Sequence, residues 1–147
     1  MKVLSDDTQT SLEYLRSTDN FILRIVFLHL IMEFRIEQVF FYYFKDYEQL
    51  KNLNFLSKIR VLSAIGLVKQ DLINNLKIIN RMRNEVAHNL FIPHSKIEEL
   101  IKKIKFEDPK ILNSLTGENL NNFIETILIE TSSKLEDIQR YIVQTHK

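Results

Sequence analysis

A chain of 147 residues that contains two Gly and two Pro has few places to turn sharply. Sheet-rich folds need such residues often, because tight turns demand backbone angles that most side chains resist. Long helices need them mainly at their ends. The scarcity therefore predicts an all-α chain of long helices with few connections. No stretch shows the alternating apolar and polar pattern of a half-buried strand, and no internal repeat or low-complexity tract interrupts the reading. The length fits one helical domain over residues 1–147, built on a single sizeable core.

Taken in order, Ser5-Asp6-Asp7 offers helix caps, and Leu12, Tyr14 and Leu15 suggest a short first helix. Ser17-Thr18-Asp19-Asn20 breaks it and caps the next. Phe21 to Lys45 reads as one long helix, apolar around most of its girth, and such a helix is usually buried on several sides. In so small a chain one flank can be covered by a second subunit. The cluster Phe40-Phe41-Tyr42-Tyr43-Phe44 points the same way, as core or dimer interface, because an exposed patch of that size is a liability in a monomer.

Asp46 to Asn54 is a polar connection. Asn54 or Ser57 can cap a helix running to Ile65, where Gly66 supplies a left-handed stop. Gln70-Asp71 opens a further helix with Leu72, Leu76, Ile79 and Val86 on one stripe and Arg83 in its midst. Leu90 would extend that stripe, and Phe91-Ile92-Pro93-His94 ends the helix, since Pro disfavours helical geometry in the residue before it. Ser95 caps a short amphipathic helix from Lys96 to Lys105, Asp108-Pro109 turns, and Lys110 to Gly117 is a loop or short helix. From Asn119 to about Thr145 a last long helix presents Leu120, Phe123, Ile124, Ile127, Leu128, Leu135, Ile138 and Ile142 as its apolar face. The sum is a bundle of five or six helices.

The net charge of +1 is informative only once divided. Leu56 to Lys110 holds eleven Lys and Arg against six Asp and Glu, whereas the remainder holds nine against thirteen. A basic middle suits a polyanion partner, although an ordinary solvated surface would give the same count. The absence of Cys excludes a disulfide framework and thiolate metal sites. Met1 to Asp7 lacks the apolar core of a signal peptide, and the charge-free run Ile25 to Met32 falls far short of the ~20 residues a spanning helix needs. A soluble, cytoplasmic protein without membrane contact is expected.

The basic middle contains Arg81-Met82-Arg83-Asn84-Glu85-Val86-Ala87-His88-Asn89-Leu90, which sets a guanidinium, an amide and an imidazole within six residues. Arg is always charged and presents a planar fork of donors suited to phosphate. His can take or give a proton near neutral pH without help. An anion clamp beside a proton shuttle suits phosphoryl chemistry, and RNA carries its own nucleophile in the 2′-hydroxyl. On a regular helix Asn84 and His88 share a face, whereas Arg83 lies about 140° around from His88, so one chain would flank a cleft rather than fill it.

Arg83-Asn84-Glu85-Val86-Ala87-His88 resembles the signature of the HEPN superfamily, an Arg and a polar residue, then three variable residues and a His. Phe55-Leu56-Ser57-Lys58-Ile59-Arg60 through Ala64-Ile65-Gly66-Leu67-Val68 is similar to the helix and Gly turn of its mannitol-operon-repressor-like branch, so that the likeness spans roughly residues 53–91. This resemblance implies a homodimer whose two motifs face each other across a shared cleft. It further implies a metal-independent endoribonuclease of toxin–antitoxin or phage-defence type, needing no cofactor and leaving 2′,3′-cyclic phosphate ends. Arg83 and His88 would then be catalytic, with Asn84 orienting the imidazole or a phosphate oxygen. Arg81 and Lys77 would face the RNA, and a cognate antitoxin protein is a further expected partner. Other members of the superfamily are binding modules, and the mannitol-repressor-like branch implies a non-catalytic regulator as the alternative.

Plainer readings stand beside these. Arg83 could pair with a buried acid such as Glu33 or Glu37 and lock two helices together, and His88 could favour its helix end as a dipole partner. Asn84 and Asn89 could be exposed positions near that end. His29, Glu33 and Glu37 line one stripe of the long helix, and Glu85 and His88 form a Glu-x-x-His pair. Di-metal bundles need two such pairs, and only a dimer could complete the second. No metal is therefore assigned, and helix–helix salt bridges for Glu33 and Glu37 with a core or interface role for His29 are preferred. His94 and His146 find no partners in the sequence.

Overall fold

The computed structural model describes residues 4–89 and 91–145. They form six α-helices: α1 (Asp6–Leu15), α2 (Phe21–Tyr43), α3 (Phe55–Ile65), α4 (Gln70–His88), α5 (His94–Ile101) and α6 (Leu120–Thr145). Two short 3₁₀ helices occur in the connections: Tyr47–Leu50 in the stretch expected to be a polar connection, and Pro109–Ser114 in the one expected to be a loop or short helix. There is no strand among the described residues.

The helix boundaries follow the capping chemistry of the sequence. Ser5 accepts a hydrogen bond from the Thr8 amide at the start of α1, Asn20 accepts from Ile22 and Leu23 at the start of α2, and Asn54 accepts from Ser57 at the start of α3. Each such cap satisfies amides that the first turn leaves without a helical partner. Gly66 closes α3 at φ 80°, a left-handed angle that side chains resist.

α5 departs from expectation. It begins at His94 with Pro93 as its extended cap, so Ser95 lies inside the helix, and it ends at Ile101 instead of Lys105. The cause is a long-range clamp. Asn75, buried on α4, accepts from the Lys105 amide at 2.8 Å and donates to the Lys105 carbonyl at 3.0 Å, which fixes that backbone in a non-helical path. His94 also finds a partner the sequence did not suggest, since its ring stacks edge-on against Phe21 at 4.5 Å. The expected contribution of Leu90 to the α4 stripe and the place of His146 lie outside the described residues.

α2 is the spine. It packs along α6 over much of its length and against α4, while α1 covers the α2–α6 seam, α3 lies on α4 and α2, and α5 on α4 and α6. The buried apolar side chains form one contiguous cluster that includes Ile25, Leu28, Met32, Ile36, Val39 and Phe40 of α2. Among the described residues three cations are buried with it. Arg24 donates to Glu125 of α6 at 2.9 Å and to the Thr18 carbonyl at 2.7 Å. Arg35 reaches Glu136 of α6 at 3.1 Å and Asp7 of α1 at 3.6 Å. Lys58 of α3 donates to Glu37 at 2.7 Å and lies 3.5 Å from Glu33. The acids Glu33 and Glu37 therefore bind α3 to α2, as helix–helix salt bridges.

The aromatic cluster at the end of α2 is divided. Phe40 is buried, Tyr43 and Phe44 are half-buried against the core, and Phe41 and Tyr42 face outward. A longer apolar row is exposed with them. Leu23, Leu30, Phe34 and Phe41 are 45%, 52%, 54% and 49% exposed, at successive spacings of seven, four and seven residues. That spacing keeps them on one stripe of α2, in the seam pattern by which helices pair. No helix of the described chain is long and apolar enough to cross a membrane.

Candidate functional site

The second half of α4 carries both the hydrophobic key to the core and the polar motif. Leu72, Leu76, Ile79, Met82 and Val86 are buried, together with Asn75 and Ile78. Arg83 is exposed. At about 100° per residue, the buried arc is centred near Asn75, Ile79, Met82 and Val86, and Arg83 falls inside it, between Leu72 and Leu76. Arg83 thus lies in the midst of the apolar stripe, as expected, yet it is exposed. The alternative of a buried partnership with Glu33 or Glu37 fails because Arg83 is exposed and Lys58 holds both acids.

What Arg83 borders is a groove of about 500 Å³ between α2, the start of α3 and α4. Val26, His29, Leu30 and Glu33 of α2 form one wall, and Asn54, Phe55 and Leu56 form the α3 end. Asn80, Arg83 and Asn84 of α4, one turn apart, form the other wall. Arg83 Nη1 and Asn84 Oδ1 are 3.5 Å apart, at the limit of a hydrogen bond. Arg83 has no ion-pair partner among the described residues, so its donors are available to an anion.

His88 is the last residue of α4, exposed and outside this groove. It shares an outward stripe with Lys77, Arg81 and Asn84, which are all exposed and fall within an arc of about 60° at helical spacing. The structure therefore brings Arg83 and Asn84 together, and aligns Asn84 with His88, Arg81 and Lys77. It does not join Arg83 to His88 within one chain. Together these side chains form a continuous polar face of α4, with the guanidinium at one edge and the imidazole near the other.

The residue that sequence reading undervalued is His29. It is 9% exposed, its ring lies 4.2 Å from that of Phe55, and its Nε2 is buried without a hydrogen-bond partner. Burial pushes its pKa below the usual histidine value; Asn80 and Glu33 act the other way, while Arg83 and Lys58 reinforce the depression. Burial thus favours the neutral ring. Its spacing to Glu33 on α2 was visible, but which helix would face it was not.

The depressed pKa has a consequence for stability. Between the unfolded value near 6.5 and the lower folded value, the unfolded chain binds more protons, so stability falls with falling pH. The melting temperature is expected to drop on acidification below pH 6.5. A His29→Phe variant, which cannot titrate, should lose that part of the slope in thermal scans at matched ionic strength. An unchanged slope in the variant would contradict the assignment.

Glu33 and Glu37 hold Lys58, and no group of three His, Asp or Glu side chains suited to a metal ion gathers among the described residues. Comparison of the chain with protein-family models, with curated proteins and with solved structures finds no match.

Proposed function

We propose that the chain is a homodimeric, HEPN-type endoribonuclease in which Arg83, Asn84 and His88 act on RNA. The observation that carries this reading is an exposed guanidinium without an ion-pair partner among the described residues, at a groove edge on the helix whose last residue is an exposed imidazole. In the reaction the O2′–P bond forms and the P–O5′ bond breaks. A proton leaves the 2′-hydroxyl, one is returned to the departing 5′-oxygen, and the products are a 2′,3′-cyclic phosphate and a 5′-hydroxyl. His88 moves a proton, Arg83 meets the charge gathering on the phosphoryl oxygens, and Asn84 orients one or the other. Lys77 and Arg81 supply backbone contacts to the strand.

Dimerisation supplies what one chain lacks. Covering the exposed row Leu23, Leu30, Phe34 and Phe41 with the same row of a second copy would satisfy the apolar surface, and Leu30 belongs to both that row and the groove. The seam would then run beside the polar face of α4.

The test is incubation of the purified protein with mixed RNA in chelator. Cleavage leaving cyclic phosphate ends is expected; RNA that remains intact would overturn the catalytic reading. In the same preparation Phe34→Glu should convert a dimer to a monomer in sedimentation and lose cleavage. The separation of Arg83 from His88 in one chain favours a second reading, a non-catalytic module that binds through the groove, and stable RNA or protein binding without turnover is its signature.

A further inference from the structure

The groove holds more than a phosphate clamp requires. Arg83 alone could take a phosphate from solvent, yet the space beside it is walled by Val26, Leu30, Phe55 and Leu56 and edged by the amides of Asn80 and Asn84. Flat apolar walls with amides at the edge suit a nucleobase, whose faces are apolar and whose rim alternates donors and acceptors. Asn side chains offer both kinds of group in one plane.

His29 adds an independent observation. It lines the groove, is about nine-tenths buried, and leaves Nε2 without a hydrogen-bond partner in the protein. A buried polar atom left unmade is costly, and a ligand atom that pairs with it recovers that cost. The groove volume of about 500 Å³ lies in the range of small-ligand sites.

We propose that this groove is a base-recognition subsite, which takes one unstacked nucleotide of single-stranded RNA with its phosphate on Arg83 and its base edge on Asn80, Asn84 and His29. Glu33, at the same wall, disfavours a second phosphate and so directs the anion to the Arg83 edge. The inference deepens the ribonuclease reading and rests on it for the identity of the polymer; nucleotide binding itself does not require turnover. A site whose polar atoms are left unpaired by the wrong base discriminates against it, so the four bases are not equivalent here.

The experiment measures binding of the four nucleoside 5′-monophosphates, and of ribose 5-phosphate, to the His88→Ala protein by calorimetry or NMR titration. One base is expected to bind about tenfold more tightly than the least favoured. His29→Phe, which keeps the ring and removes its nitrogens, should flatten that preference. Asn80→Ala, at a partly exposed position, should do the same and serves if the His29 variant does not fold. Ribose 5-phosphate binding as tightly as every nucleotide, or a preference untouched by both variants, would overturn the subsite.

Mapping cleavage sites of the unmodified protein separates the two claims. Cutting with no base preference sinks the subsite and leaves the ribonuclease standing. Base-selective binding that depends on His29 and Asn80, without any cutting, sinks the ribonuclease and leaves the subsite standing.

Discussion

His88→Ala should lower RNA cleavage about 10²–10⁴-fold, the usual worth of a positioned proton carrier. The side chain is exposed at the end of α4, so its removal should shift stability by no more than about 0.5 kcal/mol. Arg83→Ala should produce a loss of similar size. Arg83→Lys should not restore it, because a single ammonium cannot reproduce the two parallel bonds of the guanidinium fork. Activity equal to the parent in the His88 variant, with an unchanged circular dichroism spectrum, would remove His88 from the chemistry.

The geometry makes a sharper form of this test possible. Arg83 borders the groove and His88 does not, so in the proposed dimer a complete site would draw one from each copy. Mixing His88→Ala with Arg83→Ala after subunit exchange would then rebuild one intact site in each mixed dimer. With random pairing, half the dimers are mixed and each has one working site of two, so about a quarter of the parental activity should return. No recovery after verified exchange would mean that the two side chains act within one copy or not at all.

The largest effect on stability is expected at Glu125. Burial pushes its carboxyl up, but the guanidinium groups of Arg16 and Arg24 outweigh this and hold its pKa below the ordinary carboxylate value. Arg24 is the critical partner, with a side chain 6% exposed at 2.9 Å from Glu125, whereas Arg16 is half in solvent. Glu125→Gln keeps the shape and leaves Arg24 buried beside a neutral amide, and breaking a buried pair from one side costs about 3 kcal/mol. At the scale of this chain that is a fall of roughly 6–12 °C in melting temperature. Removing both partners with Arg24→Met and Glu125→Leu should recover much of the loss, since an apolar pair leaves no stranded charge. A drop under about 2 °C for Glu125→Gln would show that Arg24 has adequate partners in the Thr18 carbonyl and Asp19.

The same pair fixes an acid limit. Because its folded pKa is depressed, Glu125 contributes stability above the unfolded carboxylate value, and loses it as pH falls through the folded one. This window opens at the ordinary carboxylate value, whereas the loss at His29 begins under pH 6.5.

The helices were legible because their signals are local. Asn20, Asn54 and Gly66 cap or stop a helix through hydrogen bonds and angles within a few residues, and the apolar spacing of α2, α4 and α6 needs no knowledge of neighbours. The end of α5 was not legible, because Asn75 reaches Lys105 across 30 residues. Nor were the partners of the buried cations. Arg24, Arg35 and Lys58 read as ordinary charges along the chain, and only packing against α6 and α2 gives each its carboxylate.

What the sequence by itself determined, then, is the all-helical architecture, the caps, and a polar motif at the close of α4. Periodicity and capping act over one or two turns, and one or two turns can be read from a string. What the tertiary structure alone decided is the environment of each motif residue. Whether Arg83 is sealed or open depends on the groove that α2 and the start of α3 leave beside α4, and whether His29 is idle core or groove floor depends on which helix ends face it. Burial is a property of the surroundings, and the surroundings come from parts of the chain far away in sequence.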